Sequence, residues 1–419
     1  MPSVTFTTSG VLQKSALREA NDRLVLDTIR RNPGISRNKL AKITAFSPTS
    51  MSFVVNRLLR SGLIREEKLK SSSSSGRPPT GLWLRSDALT AIGVEIARPT
   101  SHIILVNLEG QTITERQVGW KTNPKKFLEK LAEEIRAIGA LPEAKQVLSV
   151  GVSISGTIER KTGRVIGAES IGWFDVEAGK ILGGLLDWPV LFENNANLSA
   201  MAEQWNAPGL GSELRYCVYI QMKGGLGSAV IVDGRVLHGY AASGTEFGHI
   251  TLYPDGLFCN CGNKGCWEQY ASDLALVRNY RERAALGNVD EIDEEESWNI
   301  VALAREGDAH ALGALEDTAK NLGLGLASMT AALNPQTIIV GEPIASAWDL
   351  AGDIIQNVVA ERVPAYFRNG LKVLPSRVKT RASLQGAAIL ALKSYFNHFD
   401  QVRTDTSPSR VVMEPHASR

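Results

Sequence analysis

The sequence predicts an α/β protein in which a small helical domain with a β-wing precedes a larger domain of alternating strands and helices. Three observations carry this. A helical period with clear start and stop signals runs from about residue 16 to Gly62. From about Thr90 the pattern changes to strands and helices, and a βββαβα arrangement recurs, roughly, in two halves. Inside the second half lies Cys259-Asn-Cys261-Gly-Asn-Lys-Gly-Cys266-Trp-Glu268, with metal-ligand spacing.

Residues 1–15 are polar and aperiodic and are expected to be disordered. Leu17, Leu24, Val25, Thr28 and Ile29 mark the apolar face of a first helix, which Asn32-Pro33-Gly34 ends. Ser36 caps a second helix carrying Leu40, Ala41 and Ile43 inward. Ser47 with Pro48 opens a third, with Met51, Val54, Val55, Leu58 and Leu59 inward. The second and third helices flank Thr44-Ala45-Phe46 as a helix-turn-helix. Leu63-Ile64-Arg65 and Leu82-Trp83-Leu84 read as the strands of a wing, with the positively charged loop Lys68–Pro79 between them.

Three short helices also suit a protein-binding bundle. The basic residues argue instead for DNA, because they gather on one feature: Arg37, Lys39 and Lys42 around the turn, Arg57 and Arg60 late in the third helix, and Lys68, Lys70 and Arg77 in the wing. Thr49, Ser50 and Ser52 offer short donors and acceptors suited to base edges in a major groove. Arg77 beside prolines suits a narrow minor groove. The expected DNA contacts are Ser36, Arg37, Ser47, Thr49, Ser50, Ser52, Arg57 and Arg77.

In the larger domain, Ala91–Ile96 and Ser101–Val106 form a hairpin pair, followed by a helix near 125–140 and the strand Val147–Ile154. A helix at Leu198–Trp205 follows Glu193-Asn-Asn-Ala-Asn197. Tyr216–Gln221 and Gly227–Val232 form a second hairpin pair. Helices fill 270–285 and 299–334, and Thr337–Gly341 is a strand. Asp290–Glu296 reads as a solvated acidic loop, and residues after about 398 as an unstructured tail. Repeated halves with a cleft between them commonly hold a small molecule.

The chain has 419 residues and a net charge of +2, so no global basic field is present and any DNA contact rests on local charge asymmetry. No run approaches the ~20 apolar residues of a membrane span. The first residues lack a signal-peptide pattern, and the cysteine usage fits a reducing compartment, so a cytoplasmic protein with no membrane contact is expected.

Three of the four cysteines, with His249 upstream, make a set of three thiolates and one imidazole. That is a closed tetrahedral zinc set with no open coordination position, hence structural rather than catalytic. The expected ligands are His249, Cys259, Cys261 and Cys266, with Gly262 and Gly265 letting the chain fold back. Free thiols or a disulfide are the alternatives. Cys217, alone in a strand-like run, reads as core.

Taken together, Ile35–Ala41, Ser47–Ser52, Gly76-Arg-Pro78, Glu193–Asn197, Gly244–His249 and the Cys-x-Cys-Gly-x-x-Gly-Cys-x-Glu run resemble the ROK family of repressors, open reading frames and kinases. The resemblance covers roughly residues 16–395. It implies a winged helix-turn-helix over 16–85, a two-lobed actin-like, sugar-kinase fold with a structural zinc over 88–395, and a flexible tail over 396–419. It also implies a sugar site in the cleft formed by Gly156, Thr157, Asn194, Asn195, Glu246, His249 and Glu268. Rigidly held carboxylates and amides discriminate hydroxyl orientation, since a mismatched buried polar group costs ~1–3 kcal/mol.

The same resemblance argues against catalysis. The family's kinases use an Asn-Asp pair whose Asp takes the hydroxyl proton, and this chain has Asn195 there. A carboxamide accepts no proton near neutral pH. The kinases' Asp-x-Gly-Gly-Thr phosphate loop corresponds to Glu95-Ile-Ala-Arg-Pro99, with both glycines lost. Gly224-Gly-Leu-Gly227 survives, and alone reads first as a hairpin turn. The expected protein is a sugar-responsive repressor of carbohydrate-metabolism genes with no catalytic residue. It binds double-stranded operator DNA as a homodimer or homotetramer. An active ATP-dependent sugar kinase with a DNA-binding arm, or a zinc-stabilised protein-interaction module, are the competing functions.

Overall fold

The computed structural model describes residues 14–68, 80–206, 214–240, 245–287, 294–379 and 381–396. The chain divides into two compact units, one running to Leu89 and resuming at Leu392, the other Thr90–Ala391. The expected tails, the wing tip with Arg77, and Gly244 lie largely or wholly outside the described residues.

In the first unit, helices α1 (Lys14–Arg31), α2 (Arg37–Thr44) and α3 (Pro48–Arg60) precede an antiparallel wing of β1 (Ile64–Lys68) and β2 (Thr80–Leu84). Ser36 Oγ accepts from Lys39 N at 3.4 Å and Ser47 Oγ from Ser50 N at 3.1 Å, so both expected caps start their helices. Ala45 ends α2 in the left-handed region, at φ 57°, and turns the chain toward α3. Met51, Val54, Val55 and Leu58 are buried on one side of α3, each worth about 1.5–3 kcal/mol of burial.

Three inward assignments change. Leu24 is 47% exposed while Leu26 is fully buried, because the face of α1 centres on Val25, Leu26 and Ile29. Ile43 is 53% exposed, since α2 turns Leu40 and Ala41 inward and Ile43 away. Leu59 is half-buried beside the buried Leu58. The side chain of Leu17 is outside the described residues.

The second unit contains two five-stranded sheets of the same topology. Its first half holds β3 (Thr90–Ile96), β4 (Thr100–Asn107), β5 (Thr112–Gly119), α4 (Pro124–Gly139), β6 (Val147–Ile154), β7 (Thr157–Glu159), β8 (Arg164–Ala168), β9 (Trp173–Val176), α5 (Ala178–Leu185), β10 (Val190–Asn194) and α6 (Asn195–Asn206). Its second half holds β11 (Cys217–Met222), β12 (Leu226–Val232), β13 (Arg235–Val236), α7 (Glu268–Ala271), α8 (Asp273–Arg283), α9 (Glu294–Arg305), α10 (Ala309–Leu333) and β14 (Thr337–Val340). It ends with α11 (Trp348–Arg362), α12 (Ala365–Arg368), β15 (Lys372–Pro375) and α13 (Ala382–Phe396).

The sheet orders are β10-β6-β3-β4-β5 and β13-β12-β11-β14-β15. In each, the first strand of the half sits centrally, with its hairpin partners antiparallel on one side and the later strands parallel on the other. Gly93 and Gly151 let α13 lie directly on the first sheet. A Cβ on Gly151 would stand 1.9 Å from Ala387 O, and one on Gly93 2.7 Å from Ala388 N.

Two further differences concern local chemistry, and the two expected helical blocks each resolve into a pair of helices. The helix expected from Leu198 begins at Asn195, because the carboxamide oxygens of Asn194 and Asn195 both accept from Ala196 N, at 2.8 and 3.0 Å. The block 270–285 is two helices, divided at Ser272, whose hydroxyl accepts from Ala275 N at 3.0 Å. The block 299–334 is also two, divided at Gly307 (φ 93°) and at Asp308, which caps α10. Glu294–Glu296 are not loop but the first turn of α9, where the carboxylates of Glu295 and Glu296 suit the helix dipole and Glu296 meets Arg281 at 2.6 Å. Asp290 to Asp293 lie outside the described residues. The small sheet β7-β8-β9 carries no clear signal in the sequence, being made of short strands with Ile166 and Phe174 left exposed.

Candidate functional site

The cysteine-rich run folds as a knuckle. Cys259 N donates to Asn263 O at 2.9 Å and Gly262 N to Cys259 O at 3.0 Å. Gly265, at φ 71°, passes so close that a Cβ would stand 1.6 Å from Tyr253 O. Isolated bridges Thr251–Cys266 and Phe258–Lys264 fix the two arms. The ligand atoms of His249, Cys259, Cys261 and Cys266 thereby all lie within 4.8 Å of one another. His249 Nδ1 is 3.6 Å from Cys259 Sγ, and Cys261 Sγ is 3.6 Å from Cys266 Sγ.

These separations suit one tetrahedral ion. Zinc–sulfur bonds of ~2.3 Å and zinc–nitrogen bonds of ~2.0–2.1 Å put neighbouring ligand atoms roughly 3.5–3.8 Å apart. They exclude a Cys261–Cys266 disulfide, whose sulfurs would stand ~2.05 Å apart. All four cysteines are free thiols. Burial pushes the Cys259 thiol up to about 12 and raises that of Cys266, while at Cys261 burial is overcome by the Asn263 backbone and the neighbouring thiols, which lower it, so the knuckle by itself does not hold the three as thiolates alike. A divalent cation supplies what that donor set lacks. Cys217 is buried in β11, and desolvation raises its thiol to about 12 also.

Glu246, His249 and Glu268 surround this knuckle. Cys259 Sγ donates to Glu268 Oε1 at 3.4 Å, and His249 Nδ1 is 4.0 Å from the same oxygen. Glu268 Oε2 accepts from Leu226 N at 3.3 Å. Burial raises the Glu246 carboxyl above its ordinary range; the charges of Glu268 and Glu169 add to this and His249 opposes it. Glu169 is thus a neighbouring carboxylate that the sequence did not single out.

Asn194 and Asn195 stand where β10 passes into α6. Asn194 Nδ2 donates to Gly156 O at 3.1 Å, tying the strand end to the loop that carries Gly156 and Thr157. Gly156, at φ 149°, could bear no Cβ, which would meet Gly167 O at 2.3 Å. Under this turn lies Glu193, only 1% exposed. It accepts from Asn194 N and Asn197 Nδ2, both at 2.9 Å, and meets His238 Nε2 at 2.8 Å and Arg160 Nε at 2.7 Å. Burial pushes the Glu193 carboxyl up, and His238 and Arg160 outweigh burial to hold it below the ordinary range. Neither Arg160 nor His238 was legible, because only the fold brings them to Glu193.

A second polar cluster occupies the glycine-rich turn. Gly224 N and Gly225 N donate to Asp273 Oδ2 and Oδ1, at 2.8 and 3.1 Å. Asp273 is 3% exposed; burial raises its carboxyl, and these N–H groups oppose that. The preceding Lys223 reaches Glu95 Oε1 at 3.1 Å, and Ser383 Oγ donates to the same oxygen. Lys223, Asp273 and Ser383 line a cleft of about 540 Å³ with Gln221, Trp298 and Glu342. Backbone N–H groups that would cradle a phosphate are therefore already satisfied by a carboxylate of the same chain.

In the winged helix, Thr49, Ser50 and Ser52 are exposed on α3. Ser52 Oγ donates to Pro48 O at 2.9 Å, and Ser36 and Ser47 serve as caps. Arg37 Nε donates to Glu66 at 2.8 Å and its Nη1 to Asn56 Oδ1 at 3.1 Å. Arg57 Nε donates to both carboxylate oxygens of Asp22, at 3.0 and 2.8 Å. These two arginines are engaged within the domain.

Residues 91–394 match the ROK family, and residues 18–65 match a winged helix-turn-helix DNA-binding family. The chain is 30% identical over 387 residues to a xylose repressor of Caldicellulosiruptor bescii, covering 90% of this chain and 96% of that protein. Its fold is similar to a ROK family transcriptional regulator described as a homologue of Escherichia coli Mlc, at TM-score 0.75 and 26% identity, covering 91% and 97% of the two chains. It is also similar to a ROK family glucokinase of Streptomyces griseus solved with glucose and AMPPNP, at TM-score 0.64 and 29% identity. That match covers 73% of this chain and 99% of the glucokinase.

Proposed function

The chain belongs to the ROK family, and from that premise we propose that it is a sugar-responsive transcriptional repressor without kinase activity. The observation that carries this is the pairing of a winged helix with a ROK domain along nearly the whole chain, as in the repressor relatives. The operator is double-stranded DNA of carbohydrate-metabolism genes. The effector is a sugar or sugar derivative, and the working form is a cytoplasmic homodimer or homotetramer.

The effector meets Gly156, Thr157, Asn194, Asn195, Glu246, His249 and Glu268. Zinc held by His249, Cys259, Cys261 and Cys266 fixes the knuckle and the tautomer of His249. With Nδ1 directed to the thiols, Nε2 is left to bond a sugar hydroxyl. Cleft closure on the effector alters the geometry of the paired winged helices, which read half-sites about one DNA turn apart.

Two features support the absence of phosphoryl transfer. Asn195 stands where the kinases place their base, and its Oδ1 accepts from Ala196 N. Asp273 fills the glycine-rich turn from within. The test is a sugar panel screened by thermal shift, followed by an ATP-dependent phosphorylation assay with each stabilising sugar. Stabilisation without turnover is expected. Turnover that Asn195→Ala abolishes would establish a kinase instead.

A further inference from the structure

The outward stripe of α3 consists of Thr49, Phe53, Asn56 and Arg60, spaced four, three and four positions apart, opposite the buried Met51, Val54, Val55 and Leu58. Phe53 sits at its centre and is 68% exposed. A single exposed apolar residue is common on protein surfaces; what singles out Phe53 is its place on the outward stripe of the second helix of a helix-turn-helix, among serine, threonine and asparagine. The neighbours narrow its role. Ser52 and Arg60 bond the backbone of α3 itself, and Arg57 is held by Asp22. Asn56 gives its carbonyl oxygen to Arg37, so it presents only N–H donors outward.

We infer that Phe53 is a specificity-determining residue of the DNA interface, reading a thymine by contact with its 5-methyl group. This rests on the DNA-binding reading above. The 5-methyl of thymine is the one apolar feature in the base-pair code of the major groove, and a phenyl ring is among the groups that pack on it. Asn56, one turn on, offers donors to the acceptor atoms found on purine and thymine edges. Lysine and arginine on phosphates supply salt-sensitive affinity without sequence, so sequence must be read by side chains that reach base edges. The stripe thus has its base-reading centre at Phe53, with Arg60, whose Nε bonds Asn56 O, at its end.

The test begins with duplexes selected from a random pool by the full-length wild-type chain. Each thymine of the selected consensus is then replaced singly by deoxyuridine, which removes only the methyl. Phe53→Ala is compared in parallel, with thermal melting and size-exclusion chromatography to establish that its fold and assembly are unchanged. At one thymine per half-site, deoxyuridine weakens wild-type binding about fourfold, the worth of one buried methyl. Phe53→Ala shows no response there and binds the duplex that keeps every thymine at least about fourfold more weakly than wild type.

Equal deoxyuridine sensitivity in wild type and Phe53→Ala would overturn the assignment. So would an altered oligomeric state in Phe53→Ala, which would place the ring in a protein contact. Failure of the wild type to bind any duplex in a salt-dependent way would refute the DNA-binding reading itself and is seen before the variant is made.

Discussion

Lys223 Nζ lies 3.1 Å from Glu95 Oε1, joining the turn after β11 in one sheet to the end of β3 in the other. Glu95 is 4% exposed. Burial pushes its carboxyl up, and the charge of Lys223 with the Ser383 hydroxyl overcomes this and holds it below the ordinary carboxylate range. The pair therefore ties the two lobes together on the same cleft where Asp273 fills the glycine-rich turn.

Removing one partner leaves a buried charge. Lys223→Met is expected to destabilise the protein by ~3 kcal/mol in urea unfolding, the low end for a broken buried pair because Lys223 is partly exposed. The double variant with Glu95→Gln recovers most of that loss. No recovery would mean that Lys223 acts through packing alone.

The pH dependence has a definite sign. Glu95 and Glu193 both have folded-state values held below the ordinary range. Their contribution is fully present above the unfolded carboxylate value and is lost as pH falls through the depressed folded value. Glu193→Gln should flatten the acid limb of a stability profile and weaken sugar affinity, since a carboxamide cannot both accept from Asn194 N on one side and offer an acceptor to Arg160 on the other. An unchanged acid limb would remove Glu193 as a source of acid sensitivity.

One zinc per chain is expected by elemental analysis of the purified protein. A chelator lowers the melting temperature, and Cys266→Ser loses the metal, while Cys217→Ser, far along the chain in β11, retains it. Equal metal content in both variants would contradict the assigned ligand set.

Arg57 is predicted to act on the fold of the winged helix more than on DNA. Arg57→Ala costs about 1 kcal/mol of stability, as expected for a well-formed but partly exposed ion pair. The salt dependence of DNA binding stays at the wild-type slope. A shallower slope would return Arg57 to the phosphate contacts.

What was legible in the sequence was local. Ser36 and Ser47 act on N–H groups three residues away, and the four residues that could hold a metal lie within one short segment. The repeated halves showed through strand composition. What stayed hidden depends on contacts that only the fold creates. Lys223 and Glu95 are 128 positions apart, and Asp273 meets Gly224 across 49. The inward side of α1 differs from the sequence expectation because Leu24 and Leu26 are chemically alike and only packing distinguishes them. Phe53 stands outside the inward set that the sequence suggests for α3, and its exposure becomes visible only where the fold completes the buried side of α3 without it.

The central claim is that one chain couples a sugar to DNA. The most direct measurement is fluorescence anisotropy of the full-length protein on duplex from upstream of its own coding region, at two salt concentrations, with and without the sugar that most raises its melting temperature. Affinity should fall as salt rises and should change at least tenfold when that sugar is added, roughly 1.4 kcal/mol of coupling. Binding that ignores salt, or that is identical with every stabilising sugar present or absent, would contradict it.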